Sequence, residues 1–205
     1  MRPSFPVRLP ADAGIALGPI LFLLAILGII GVVMSAGGSG GFSSAGITDR
    51  IAADVPSQTN LIRAKINECI LLYGSSTDYS TYPQAASATL VSALTCPGDP
   101  GTNKNMWTGS HPASLPPPTT GFNEWNYINA NASGSGGVCI WVEPKASSGG
   151  VVAGLTRTAN KFTHAAANDG SAEVNYDSTK AKQRFIVWIS TPPAVGAEDA
   201  ECKPQ

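Results

Sequence analysis

Residues 15–34 read IALGPILFLLAILGIIGVVM, and this run governs how the rest of the chain can be arranged. It carries no charge over twenty positions, and thirteen of them are Ile, Leu, Val or Phe. At about 1.5 Å per residue, a helix of that length covers roughly 30 Å, the thickness of a bilayer's hydrocarbon core. Taking about −0.3 to −0.6 kcal/mol for each of the thirteen side chains gives an insertion term on the order of −4 to −8 kcal/mol, before Gly and Pro offset part of it. The run therefore reads as a helix held in an apolar environment. Pro19 falls in its second turn, where a missing N–H costs least. Gly14 and Gly18 are spaced as a small-xxx-small pair, and Ala25, Gly28 and Gly31 add small surfaces that admit a neighbouring helix.

Arg2 and Arg8 precede the run, and no charge follows it until Asp49. A basic flank keeps the N-terminus cytoplasmic and places the bulk of the chain outside. The competing reading is a signal peptide ending near Met34-Ser35-Ala36, although an apolar region of about 7–15 residues is usual there. After the run comes GGSGGFSSAG, residues 37–46, where helix is costly and a flexible joint or a melted stretch of helix is expected. Residues 37–41 also match G-x-S-x-G, but a nucleophile elbow needs a strand before the serine and a helix after it, and the sequence offers neither.

Helical periodicity resumes beyond the joint. Ile47, Ile51, Val55, Ile62, Ile66, Ile70 and Tyr73 fall near one face, with Leu61 and Cys69 beside it, while Asp49, Arg50, Asp54, Arg63, Lys65 and Glu68 occupy the remainder. Thr48 is placed to cap this helix and Gly74 to end it, and Pro56 is expected to kink it or divide it after Val55. Such a stripe suits an amphipathic helix lying on a sheet.

The composition, 43% hydrophobic and 13% charged, supports one modest core and excludes a wholly disordered chain. Thirteen basic and fourteen acidic residues are scattered, which leaves no footprint for nucleic acid. Cys69, Cys96, Cys139 and Cys202 are too widely spaced for a redox pair or a metal knuckle, and an even count on an exported chain points to disulfides. Three pairings are open; Cys69–Cys96 with Cys139–Cys202 is favoured because each closes one region locally.

Residues 75–135 are rich in Ser, Thr, Pro, Gly and Asn and read as a long surface excursion. A short helix is expected over 85–94, and Pro116-Pro117-Pro118 forces extended backbone. Residues 138–142 (VCIWV), 151–156 and 185–190 (FIVWIS) read as strands from their β-branched and aromatic content. The first and third are apolar on both faces and belong at the centre of an antiparallel sheet. The fold class is thus α+β, a long N-terminal helix with its amphipathic second half on an antiparallel sheet. The expected segments are a basic leader-like stretch 1–14, the apolar helix 15–36, the joint 37–46 and an exported domain 47–205.

No catalytic, cofactor or metal constellation stands out. His111 and His164 are the two histidines, and a triad drawn from His164, Asp169 and an abundant serine has no geometric support. Asp169, Glu173 and Asp177 cluster in sequence without EF-hand spacing, so a solvated loop is the expectation over calcium. Trp141 and Trp188 suit the sheet core, while Trp107 or Trp125 is available for an exposed contact surface.

This layout resembles the type IV pilins and related pseudopilins of bacterial secretion systems. The resemblance covers the architecture of the whole chain, and its sequence-specific part is confined to residues 14–31. It implies a leader 1–14 cut directly after Gly14, Ile15 as the mature N-terminus, methylation, and a helix of some fifty residues packed on a sheet. Gly18, Pro19, Leu24, Gly28 and Gly31 would lie in an assembly surface of packed apolar helices. The implied partners are further copies of the chain, the lipid bilayer before assembly, and the secretion or pilus assembly machinery, with no nucleic acid. The implied location is the bacterial inner membrane and then an extracellular filament used for surface adhesion. Pro19 stands where the family carries a glutamate, so the subunit's N-terminal amine must find a different partner in apolar surroundings. A permanently anchored, exported binding domain is the alternative function.

Overall fold

The computed structural model describes residues 41–74, 78–83, 87–133, 136–162, 173–190 and 199–205. The chain divides into two compact units, 1–43 and 44–205, and the following account concerns the second. The apolar run 15–34 and its flanks lie outside the described residues. Among the described residues, no helix is long and apolar enough to cross a membrane.

Helix α1 spans Gly41–Tyr73, 33 residues and about 50 Å at 1.5 Å per residue. Ile51, Val55, Ile62, Ile66, Cys69 and Ile70 are buried along it, the stripe that the periodicity predicts, while Ile47 stands exposed. Two features differ from expectation. The helix begins at Gly41, inside the glycine-rich stretch, and Thr48 therefore lies within it rather than at its cap. Thr48 Oγ1 donates to Ser44 O one turn back and to Gly150 O on a second helix, so tertiary contacts outweigh the poor propensity of this segment. Pro56 also sits inside an uninterrupted helix. Proline has no N–H for the carbonyl four residues earlier, and Lys161 Nζ reaches across to donate to that carbonyl, Ala52 O.

The sheet has five antiparallel strands in the order β1-β2-β3-β5-β4: β1 Thr89–Leu90, β2 Asn126–Asn129, β3 Val138–Val142, β4 Val174–Asn175 and β5 Phe185–Trp188. Strand β3 is central and fully buried, pairing Ile140 with Tyr127 on one side and Val187 on the other. Alternation sends Tyr127, Val138, Ile140, Val142, Phe185 and Val187 into one cluster with the stripe of α1. Ile128, Cys139, Trp141, Ile186 and Trp188 form a second cluster on the opposite face, with Cys202 among them. The expected central strands are thus in place, with β5 ending at Trp188, two residues before the predicted end.

Two sequence expectations fail. Residues 151–156 lie in helix α2, Gly149–Ala159, capped by the Ser148 hydroxyl accepting from Val151 N. Gly150 and Gly154 on this helix, four residues apart, let it approach α1 closely: a Cβ at Gly154 would lie 2.8 Å from Ile51 Cβ, and one at Gly150 would lie 3.1 Å from Ser44 O. Val151, Leu155 and Ala159 fill the core from the same helix, so helical burial prevails over the β preference of its valines. The second failure is the helix expected over 85–94. Thr89–Leu90 is the edge strand and Val91–Ala93 a single 3-10 turn, because Val91 N donates to Trp125 O beside β2. Residues 84–86 lie outside the described residues.

Candidate functional site

Lys65, Cys69 and Tyr73 recur every four residues and so line one edge at the end of α1. Opposite them the excursion supplies Cys96, Asp99, Asn105, Met106 and His111, enclosing a cleft with about 20 Å³ of room, enough for one water. The Cys69–Cys96 disulfide is part of its lining, with Cα atoms 5.8 Å apart. Lys65 Nζ donates to Glu68 Oε2 at 2.9 Å and to His111 O, so a largely buried ammonium keeps its charge partnered. The Asp99 carboxylate accepts from Gly101 N and Ser110 Oγ, and these bonds hold its pKa below the usual 3.8. Desolvation, with Asp99 and Glu68 nearby, pushes the Tyr73 phenol above 10.0. The His111 side chain is exposed, its ring centroid 6.3 Å from that of Tyr73.

On the far face of the sheet, Cys139–Cys202 ties the C-terminal segment 199–205 to β3, with Cα atoms 6.1 Å apart. Arg184, its side chain 4% exposed, fastens the same segment without a covalent bond. It pairs with Glu143 at 2.6 Å and Glu201 at 2.9 Å, donates to Glu201 O, and lies 5.1 Å from the Trp141 ring centroid. Lys182 N donates to Gln205 O at 2.8 Å and Asp199 N to Gly136 O at 3.2 Å, completing the attachment.

A third feature is a groove of about 170 Å³ between Leu115–Pro118, Ser92, Glu124 and Trp125. Gln58 fastens its wall, donating to Pro117 O and accepting from Trp125 Nε1, both at 2.8 Å. Trp125 and Trp107 are both buried, so neither supplies the exposed contact surface for which one of them was available. Trp107 Nε1 donates to Val91 O at 2.7 Å, and each indole thus finds a partner inside the fold.

Both favoured cysteine pairs are joined in the structure. Gly14 and Ile15, expected at a processing site, and Gly18, Pro19, Leu24, Gly28 and Gly31, expected in an assembly surface, lie outside the described residues, as do His164 and Asp169. Glu173 is paired with Arg63 at 3.3 Å, and Asp177 accepts from Thr179 N and Oγ1. Among the described residues, no group of three or more His, Cys, Asp or Glu side chains is placed to hold a metal ion. Sequence reading missed Lys65 and Arg184 as buried charges. Periodicity places Lys65 on the polar side of α1, and Arg184 is the last of three basic residues, after Lys180 and Lys182, that precede a strongly apolar strand. Searches against family models, curated proteins and solved structures matched none to this chain.

Proposed function

We propose that this chain is a structural subunit of an extracellular pilus-like filament, assembled through its apolar N-terminal segment 15–34 and able to attach to surfaces. The observation that carries the reading is the succession of an uncharged run long enough to span a bilayer and, beyond it, a 33-residue helix whose buried stripe packs with an antiparallel sheet. The two disulfides and the buried C-terminal cysteine agree with an exported domain.

In this proposal the membrane stores the segment 15–34 after export, and the secretion or pilus machinery then draws it from the lipid into contact with equivalent helices. Apolar burial is retained while the neighbour changes, so no step requires the helix to be fully hydrated. Each subunit meets the next through different surfaces, and that contact propagates without closing. Processing after Gly14 frees Ile15, and Gly18, Pro19, Leu24, Gly28 and Gly31 lie in the packed segment.

N-terminal sequencing of the mature protein tests the first step: a start at Ile15 supports pilin-type processing, and retention of Met1 or a start near Ser35 opposes it. Negative-stain microscopy tests the second. Regular filaments containing the chain are expected from cells with an active export system; protein that stays monomeric in membranes under those conditions refutes the reading.

A further inference from the structure

The groove beside prolines 116–118 is open at its rim and fixed in its lining. Ser92, Pro117 and Glu124 are exposed around it, while Trp125 is buried. The Trp125 indole N–H and the Pro117 carbonyl are both bonded to Gln58, so these two polar groups are already satisfied, and the three prolines bring no N–H of their own. Glu124 is the one charged side chain in the lining. Ser92 Oγ donates to its Oε2 from 3.4 Å, beyond the usual O–H···O range of about 2.5–3.0 Å. Among the described residues, no Lys, Arg or His pairs with it. The room of about 170 Å³ is below the roughly 300–1,000 Å³ of a pocket for a drug-sized ligand and matches the liquid volume of about five or six waters, at about 30 Å³ each. It therefore suits a single side chain.

We propose that this groove is a docking site for a lysine side chain presented by a partner protein, with Glu124 as its anchor. The complement of an apolar, donor-poor recess with a lone carboxylate is a group that only donates and carries its charge on a hydrocarbon stem. Lysine's ammonium has three donors and no acceptor, and its methylenes bury readily along apolar surface. In the docked state the methylenes lie against Leu115 and the prolines, and the ammonium donates to Glu124 and to Ser92 Oγ. Arginine fits less well, because its planar fork seeks both oxygens of a carboxylate and Ser92 already lies on Oε2. The bonds of Gln58 hold the recess in shape before a partner arrives, which confines the ordering cost to the incoming side chain. The groove lies within the unit 44–205, so the proposal stands independently of the N-terminal segment and of filament assembly.

The test is a proton–nitrogen NMR titration of the full chain in detergent, read at the Trp125 indole N–H and the Glu124 amide, with the blocked peptide acetyl-Gly-Lys-Gly-amide as probe. Saturable shifts are expected, with a Kd on the order of 1–10 mM for a contact of one side chain. Glu124→Gln is expected to weaken binding about fivefold, and a peptide with norleucine in place of lysine to bind at least as weakly. Glu124 is exposed, and an unchanged spectrum away from the groove shows that its variant keeps the fold. No saturable shift up to about 50 mM peptide, equal binding of the norleucine peptide, or an unchanged affinity in Glu124→Gln overturns the proposal. Tighter binding of the corresponding arginine peptide overturns the assignment to lysine. Tighter binding of n-butylamine, the same head and stem without a peptide, overturns the assignment to a protein partner.

Discussion

Replacing Lys161 by Met, in the native chain and in a Pro56→Ala background, tests how α1 tolerates a proline in its middle. In the native chain Ala52 O lacks a donor from position 56 and takes one from Lys161 Nζ. A hydrogen bond with a charged donor contributes about 1.5–3 kcal/mol, but Lys161 is exposed and must give up hydration, so about 1 kcal/mol is expected from its loss. Pro56→Ala restores the backbone donor and gains up to about 3 kcal/mol of helix propensity, less about 0.4–1 kcal/mol for the freer unfolded chain. Lost contacts of the half-buried ring reduce this further, leaving a net gain of about 1–2 kcal/mol. In that background Ala52 O no longer depends on the lysine, so Lys161→Met should cost close to nothing, a coupling of about 0.5–1 kcal/mol. Equilibrium urea unfolding followed by tryptophan fluorescence is the assay, since Trp107, Trp125, Trp141 and Trp188 all lie in the unit 44–205. With a slope of about 2 kcal/mol per molar urea, a 1 kcal/mol change moves the midpoint by about 0.5 M. An equal cost of Lys161→Met in both backgrounds refutes the reasoning.

Gly154→Ala should destabilise the fold by about 1–3 kcal/mol, because its Cβ would meet Ile51 at 2.8 Å, whereas Gly149→Ala opens into free space and should be neutral or stabilising by up to about 1 kcal/mol in the same urea assay. Gln183 holds a left-handed backbone at φ 51° while its side chain donates to Ser178 O and Lys180 O and accepts from the Tyr176 hydroxyl. Gln183→Ala keeps the strained backbone and loses those bonds, so a loss of about 2 kcal/mol is expected in thermal or urea unfolding. Asp99 titrates below its usual 3.8 in the folded chain, so its contribution is present above that value and lost as pH falls through the lower folded pKa. Asp99→Asn should therefore flatten the decline of stability as pH falls below the usual carboxylate range, measured as melting temperature against pH.

Periodicity alone located the buried stripe of α1, because a 3.6-residue repeat of isoleucines and valines has one way to hide its apolar face. Strands β3 and β5 were legible for a related reason: side chains that are apolar on both faces require a central position with cover on each side. Local closure favours Cys69–Cys96 with Cys139–Cys202 among three open pairings, and the structure joins those pairs. Tertiary structure decided the remainder. Whether GGVVAGLTRTA forms a strand or a helix turned on Gly150 and Gly154 meeting Ser44 and Ile51, a contact between segments about a hundred residues apart that no local preference encodes. The same distance separates Ala52 from Lys161, the pair that lets Pro56 stay inside a continuous helix. Burial of Trp107 and Trp125, the cleft at Cys69–Cys96 and the attachment made by Arg184 all depend on partners supplied from other elements. A sequence states which side chains must leave water; the fold alone determines which atoms they meet when they do.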